Sequence, residues 1–251
     1  MTRRCVLVLL LLLCGFAPDD AAQLAWQTTP GARMPLGTML RDESGREVRL
    51  RSVFDGKPVI LDLGYYHCPA LCGVVRADLI NALNGSGLLG GQDYTLLALS
   101  IDPAETPHDA ADAKAIDLAR IASHDDWHYL TGSAAAIAGV ESAVGFRARY
   151  DPRLRQFLHP AGLVVITADG VVSGYLLGVG YSAGDLRAAV SRARNGGIER
   201  DVLPILLLCF HYDEATGRYT LAIEKILRLM ALLTVATLAG LMFVLHRRPG
   251  A

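Results

Sequence analysis

The sequence predicts an α/β domain with a largely parallel central sheet, followed near the C-terminus by a membrane helix. Two observations support this prediction. In the middle of the chain, short apolar runs alternate with segments whose apolar residues recur at helical spacing, as in strands joined by crossover helices. Hydrophobic residues make up 52% of the 251 and are concentrated near the two ends. One folded domain therefore lies between two apolar segments.

The elements follow one another as expected for such a sheet. Gly37–Arg51 alternates like a hairpin, with its turn at Asp42–Gly45. The apolar run Val59–Tyr65 predicts a central strand. The leucine and valine spacing of Ala70–Leu83 then predicts a helix that Asn84–Gly85 ends.

The second half of the domain continues the alternation. Its predicted elements are the strand Tyr94–Ile101, a helix that begins near Thr106–Pro107 and runs through Ala110–Ala122, the strand Trp127–Leu130, the helix Ser133–Val144 with Ser133 as N-cap, a hairpin of Leu163–Thr167 and Val171–Leu177 turned by Asp169–Gly170, and the helix Ser182–Arg194. This order favours parallel pairing. With cysteines at the end of the first central strand and a late antiparallel hairpin, it predicts a thioredoxin-like fold.

Two cysteines lie where the first central strand meets its helix. Cys68 and Cys72 are four residues apart, one more than in the C-x-x-C motif usual for this fold. On a first helical turn this spacing places both thiols on one face, and the helix N-terminus favours the thiolate. The pair can act as a soft-metal clamp or as a redox-active disulfide. A structural disulfide is a third interpretation. A disulfide that closes such a short loop, however, removes little entropy from the unfolded state.

His159 comes directly before the predicted strand Leu163–Thr167. In thioredoxin-like folds this position faces the active-site cysteines, so we expect His159 to lie near Cys68 and Cys72. Two thiolates and an imidazole suit copper, whereas a structural zinc site would require a fourth protein ligand.

The segment Gly64–Cys72, GYYHCPALC, resembles the metal-binding signature of the SCO/SenC proteins, in which C-x-x-x-C and a distant histidine hold copper. Further matches are Asp55–Pro58, Ser100–Pro103 with Thr106–Pro107, Leu130–Gly132, and His159 ahead of Leu163–Gly170. The resemblance runs from about Gly37 to Arg194.

The resemblance implies that Cys68, Cys72 and His159 are copper ligands. It also implies a metallochaperone, rather than a turnover enzyme, that helps to assemble the binuclear copper centre of cytochrome c oxidase subunit II. Another copper protein is the alternative recipient. Family members are credited both with delivering copper and with keeping recipient cysteines reduced. A periplasmic thiol-disulfide oxidoreductase that uses Cys68 and Cys72 is therefore the alternative.

The chain departs from the family pattern in three places that remove no ligand. Gly73 stands where proline is common, Tyr66 replaces a common threonine, and Pro160 follows the histidine. Two further residues near the motif or the sheet, His67 and Asp102, are not expected to be copper ligands. His67 is expected to have a structural or supporting role, and the role of Asp102 stays open.

The ends of the chain predict export and anchoring. Arg3 and Arg4 precede an apolar core, Cys5–Leu13, that is too short for a membrane span. Ile226–Leu245 contains twenty residues with one charge, enough at about 1.5 Å per residue to cross a hydrocarbon core of about 30 Å. The basic run 246–248 follows, which by the positive-inside rule places the C-terminus in the cytoplasm.

These signals give the expected organisation of the chain. It comprises a signal peptide at 1–22, a thioredoxin-like copper-binding domain at 23–197, a juxtamembrane segment at 198–225, a transmembrane helix at 226–246 and a cytoplasmic tail at 247–251. The main domain is expected in the periplasm, held by a single C-terminal span in the bacterial cytoplasmic membrane. Whether the first segment is cleaved stays open. Cys209 and His211 are expected to be a buried free cysteine and a surface histidine, with a second copper site as the alternative.

The charge balance gives no indication of a polyanionic partner. The chain has 24 lysines and arginines against 25 aspartates and glutamates, for a formal net charge of −1. Such a chain has no overall field that would gather nucleic acid. We therefore expect no nucleic-acid partner.

Overall fold

The structure is a computed structural model that describes residues 26–67, 72–122 and 126–199. Beyond these, it describes 212–213, 218–219, 230–232, 234–235, 237–238 and 240. The side chain of Cys72 lies outside the described part, although its backbone is helical. The chain divides into two compact units, Met1–Arg200 and Asp201–Ala251.

The first unit contains thirteen strands and helices and one short 3₁₀ turn at Leu50–Val53 among its described residues. In chain order they are β1 (Met39–Arg41), β2 (Glu47–Arg49), β3 (Val59–Gly64), α1 (Cys72–Ser86), β4 (Thr95–Ser100), α2 (Pro107–Leu118), β5 (Trp127–Leu130), α3 (Ala134–Ala143), β6 (Arg149–Asp151), β7 (Gln156–Leu158), β8 (Gly162–Ile166), β9 (Val172–Leu177) and α4 (Ala183–Arg194). In the second unit, β10 (Tyr212–Asp213) pairs with β11 (Arg218–Tyr219) in antiparallel orientation.

A five-stranded mixed sheet forms the centre of the first unit, in the order β5-β4-β3-β8-β9. The strands β3, β4 and β5 are parallel, whereas β8 is antiparallel to both β3 and β9. The parallel strands are joined through α1 and α2, as crossover connections require. The predicted α/β domain, with its late antiparallel hairpin, is confirmed.

Alternate residues of the central strands face two different layers. Leu61 of β3 belongs to the main hydrophobic cluster together with Ile137 of α3. On the other face, α4 contacts α1, β8 and β9, and Val165 packs against Ala189. Because both faces are covered, the central strands are almost entirely apolar and buried. The polar residues of the described central strands are Thr95 and Ser100 at the ends of β4, and Asp62, which is charged, in the middle of β3.

The helix starts agree with the predicted caps. Ser133 accepts a hydrogen bond from the backbone N–H of Ala136 at the start of α3. Thr106 and Asp109 form a capping box at the start of α2. These local signals fixed the beginnings of both helices.

Two predicted helix ends were wrong. Helix α1 passes through Asn84–Gly85 and ends at Ser86, where Gly87 follows with a φ of +75°. Helix α2 ends at Leu118 rather than at Ala122. The side chain of Asn84 explains the early end of α2, because it bonds the carbonyl of Arg120 at 3.0 Å and the N–H of Ala122 at 3.1 Å. Those groups are therefore fixed outside the helical ladder.

The sequence did not predict the small sheet of β6 and β7. It pairs Arg149 with Leu158 and Tyr150 with Phe157. Each strand has three residues, too few for an alternating pattern to stand out. This hairpin leads directly to His159.

The predicted signal peptide at 1–22 and most of the predicted membrane helix at 226–246 lie outside the described residues, as do Cys209 and His211. The described positions between 230 and 240 are helical. Within the part of the chain that the structure describes, no helix combines the length and apolar character needed to cross a membrane.

Candidate metal centre

The cysteine motif joins the end of β3 to the start of α1. After Gly64 come buried Tyr65, then Tyr66 and His67, and the next described residue is Cys72, the first of α1. Residues 68–71 lie outside the described part. The described backbone therefore places Cys72 at a helix N-terminus, where the unpaired backbone N–H groups favour a thiolate.

The ring of His159 lies beside the strand that leads into this motif. Its centroid is 6.0 Å from that of Tyr65, at an edge-on angle of 71°, and 5.6 Å from that of Phe146. Tyr65 is three residues before Cys68. Because β8 runs antiparallel to β3, the chain just before β8 returns to the edge of the sheet where β3 ends.

The orientation of the imidazole suits a metal ligand. Its Nδ1 lies 3.1 Å from the carbonyl oxygen of Pro160. When Nδ1 has the proton, it donates to that oxygen, and Nε2 is the nitrogen with an available lone pair. Metal-ligating histidines are commonly oriented in this way by a backbone carbonyl.

A cluster of aromatic rings packs against His159. Trp26 packs edge-on against Phe146 at 4.9 Å and against Tyr175 at 5.5 Å, and its Nε1 donates to the carbonyl of Ala161. Phe146 in turn contacts His159. The beginning of the described chain is thus part of the packing that holds the histidine.

Glu105 is hydrogen-bonded to the backbone of the motif. Its carboxylate accepts hydrogen bonds from the N–H groups of Tyr66 at 2.8 Å and His67 at 2.7 Å, and from the hydroxyl of Ser100 at 2.5 Å. The side chain is only 5% exposed. Sequence reasoning missed this role, since Glu105 lies in a turn read only as the start of a helix. Asp102, whose role was left open, bonds the N–H of Ala104 within that turn.

His67 is exposed and faces two carboxylates. Its Nδ1 lies 3.3 Å from Glu105 Oε1 and its Nε2 lies 3.6 Å from Asp109 Oδ1. The supporting role expected for His67 stays a prediction. The pKa of Asp109 is held below its usual range, chiefly by the backbone N–H of Thr106.

Behind the motif lies a buried polar cluster that the sequence did not reveal. Arg76 lies four residues after Cys72, and so on the same side of α1. Its Nε is 2.8 Å from Asp117 Oδ2, which also accepts a hydrogen bond of 2.8 Å from the Tyr129 hydroxyl. Burial raises the pKa of Asp62 to about 6, against the opposing effect of the Arg76 charge. The sequence signal was weak, because Asp62 reads as one polar residue in an apolar strand.

The described residues contain no group of three or more histidine, cysteine, aspartate or glutamate side chains that could hold a metal ion. Both cysteine side chains of the motif lie outside that part. The residue types of the motif and of position 159 suit a soft metal: the sequence supplies two thiols and one imidazole.

The family model described as SCO1/SenC matches residues 39–193. The chain belongs to the SCO1/SenC family. The match covers the sheet, both crossover helices and His159, and it confirms the resemblance that the sequence motifs indicated. No curated protein gives a significant match to the chain.

Solved structures share the SCO1/SenC fold of this chain. A protein from Aquifex aeolicus VF5, described as an electron transfer protein, has a TM-score of 0.59 at 24% identity, over 67% of this chain and 96% of that one. ScoI of Arabidopsis thaliana with copper bound has a TM-score of 0.53 at 18% identity, over 66% and 98%. BsSco, described as a member of the Sco family of cytochrome c oxidase assembly proteins with a disulfide switch, has a TM-score of 0.50 at 20% identity, over 67% and 97%.

Proposed function

We propose that this SCO1/SenC protein is a copper metallochaperone that binds copper, as cargo, through Cys68, Cys72 and His159. The observation that supports the proposal most strongly is the position of His159. Its ring lies 6.0 Å from that of Tyr65, which directly follows β3 and lies three residues before Cys68. Copper bound to the Arabidopsis relative supports the choice of metal. BsSco is described as belonging to a family of cytochrome c oxidase assembly proteins, which supports that oxidase as the destination of the copper. The proposed recipient within it is subunit II with its binuclear copper centre, as the sequence resemblance implies.

The described residues prepare the site for binding and release. The N-terminus of α1 stabilises thiolate at Cys72, while Glu105 fixes the backbone before Cys68 through two N–H groups. The Pro160 carbonyl, 3.1 Å from Nδ1 of His159, favours the tautomer with the proton on that nitrogen. Three protein ligands leave copper open to a fourth, so a recipient thiolate can add before a donor thiolate leaves. The oxidation state of copper does not change in this exchange. The protons lost by the recipient thiols pass to the released cysteines.

A specific observation keeps a second function open. Cys68 and Cys72 have a spacing that permits a disulfide, and BsSco is described with a disulfide switch. In this reading the reduced pair donates two electrons to a disulfide of the recipient and becomes oxidised, through a mixed disulfide. The two functions use the same cysteines but differ in their need for His159.

Substitution of His159 separates the two functions. His159→Ala in the full-length protein should lower copper affinity by more than about tenfold, because one of three ligands is lost, and it should leave oxidation of the dithiol almost unchanged. Cys68→Ala and Cys72→Ala should abolish both. Copper content and thiol titration on the same samples measure the two properties.

The exposed His108, in α2, provides the matched control. His108→Ala should bind copper like the wild type. Copper affinity that is unchanged in His159→Ala would refute the three-ligand site. A wild-type protein that binds no copper but equilibrates its dithiol with a disulfide would favour the oxidoreductase.

We further propose that the domain at 23–197 lies in the periplasm. In this arrangement residues 226–246 cross the bacterial cytoplasmic membrane, 198–225 connect the domain to that helix, and 247–251 form a cytoplasmic tail. The basic run that follows the apolar segment and the export-type N-terminus support this orientation.

A further inference from the structure

A local positive patch precedes His159 in the chain. Four exposed arginines form it: Arg147, Arg149, Arg153 and Arg155. With four positive side chains and one negative, Asp151, the segment 147–158 has a formal charge of +3, whereas the whole chain has −1. The patch is therefore a feature of this segment and not of the overall composition.

The tip of the β6–β7 hairpin has an ordered geometry. Asp151 Oδ1 accepts hydrogen bonds from the N–H groups of Arg153 at 2.8 Å and Leu154 at 3.3 Å. The one acidic side chain of the segment is thus hydrogen-bonded to the backbone of the turn that contains Arg153. This engagement fixes the position of the arginine backbones relative to the hairpin.

Arg155 occupies a backbone conformation that favours glycine. Its φ is +54°, one of two positive values found for non-glycine residues in the described part of the chain. Left-handed backbone of this kind strains residues that have a Cβ, and such strain is often associated with function. Backbone stability alone would favour glycine at this position.

The arginines at the tip differ from those elsewhere in the domain. In the described ranges, neither Arg153 nor Arg155 lies within ion-pair distance of a carboxylate, whereas Arg41 pairs with Glu47 at 3.5 Å and Arg194 with Asp93 at 2.6 Å. An exposed guanidinium without an internal partner can bind a carboxylate of another molecule in bidentate geometry.

The hairpin is physically continuous with the candidate metal centre. Phe157 packs edge-on against Tyr65 at 5.8 Å and against Tyr150 at 5.2 Å, and β7 ends one residue before His159. Tyr150 is 50% exposed and Leu154 is 58% exposed. Exposed aromatic and arginine side chains together are typical of protein interfaces.

We propose that the β6–β7 hairpin is the docking surface for an acidic segment of the protein that receives copper, with carboxylates of that protein opposite Arg153 and Arg155. The inference rests on the proposed function. A protein partner is favoured over an anionic membrane, because ligand exchange at His159 requires recipient side chains to reach the site that this hairpin borders. A membrane surface supplies no such ligand.

The test compares association rates of full-length protein in nonionic detergent. The probe is the domain of cytochrome c oxidase subunit II that holds the binuclear copper centre, from the same bacterium. It is used without copper and with its cysteines reduced. The double variant Arg153→Gln with Arg155→Gly should associate about tenfold more slowly at low salt, and its rate should lose most of its dependence on ionic strength. Arg153→Lys with Arg155→Lys should restore a salt-dependent rate.

Two controls separate docking from folding. Arg51→Gln with Arg120→Gln removes the same number of exposed arginines outside the hairpin and should associate like the wild type. Arg155→Gly alone should leave thermal stability unchanged or higher, because glycine relieves the positive φ.

Three results would overturn the inference. They are equal rates for the hairpin and control variants, absence of association by the wild-type protein, and a loss confined to binding of vesicles that contain anionic phospholipid. Copper content, measured on the same preparations, tests the proposed function separately. A protein that binds no copper but associates through Arg153 and Arg155 would refute the metallochaperone and retain the docking surface.

Discussion

Among single residues, the least expected is Asp62, whose carboxyl group lies in the middle of the central sheet. Asp62 is 6% exposed, and its pKa rises from 3.8 to about 6 because burial disfavours the ionised form. The Arg76 and His159 charges oppose this rise, whereas Asp117 adds to it. The ionised form of Asp62 therefore costs the folded domain free energy at neutral pH.

Replacing Asp62 by its neutral isostere should change stability in a pH-dependent manner. The folded-state pKa lies above the unfolded one, so the penalty is absent below about pH 4 and develops as pH rises through about 6. Relative to wild type, the free energy of unfolding of Asp62→Asn should increase by about 3 kcal/mol between pH 4 and pH 7.5. Urea titrations at both pH values measure it.

The exposed Asp112 of α2 is the matched control. Asp112→Asn should show no comparable pH dependence. If the difference between Asp62→Asn and the wild type were the same at pH 4 and pH 7.5, the inferred burial penalty would be wrong.

At the scale of elements, the connection between β3 and α1 depends on a residue about forty positions away in sequence. The carboxylate of Glu105 accepts from two backbone N–H groups of that connection and from Ser100. Glu105→Ala should lower the free energy of unfolding by about 2–4 kcal/mol, since three donors, two of them partly buried, lose a charged acceptor. It should also accelerate amide exchange at Tyr66 and His67.

An exposed carboxylate gives the comparison for this prediction. Glu47 on β2 is 67% exposed and pairs with Arg41, so Glu47→Ala should change stability by less than about 1 kcal/mol. Unchanged amide exchange at Tyr66 and His67 in Glu105→Ala would show that other contacts fix the connection.

Elements with a strong local signal could be predicted from the sequence. The strand β3 and the N-cap at Ser133 required only an apolar run and a capping residue. The end of α1 was wrong because the helix continues to Ser86, before Gly87 with its positive φ, rather than stopping at Asn84–Gly85. The end of α2 was wrong because Asn84 acts across a distance that periodicity does not report. The β6–β7 hairpin was missed because its strands are short and its composition is basic.

The candidate site was only partly predictable for the same reason. The prediction that Cys68, Cys72 and His159 form the site rests on residue chemistry, on the predicted topology and on the SCO/SenC resemblance. Glu105 and Phe146 support the site through contacts between distant segments. No local pattern marks either residue, so their roles emerge only when the chain is folded.

At the scale of the whole molecule, export and anchoring make one joint prediction. Alkaline phosphatase fused after residue 225 should be active, because that point is expected outside the cytoplasm, and the same reporter fused after residue 251 should be inactive. A fluorescent reporter that matures only in the cytoplasm should give the opposite pattern. Equal alkaline phosphatase activity at both positions would contradict a single span at 226–246.

The aromatic stack beneath His159 has an optical consequence. The chain has two tryptophans. Trp26 and His159 both contact the ring of Phe146, whereas Trp127 begins β5 at the edge of the sheet and contacts Tyr94. A quenching ion at His159 would dim the emission of Trp26 far more than that of Trp127. The protein thus contains both an intrinsic fluorescent reporter of its candidate site and an internal reference.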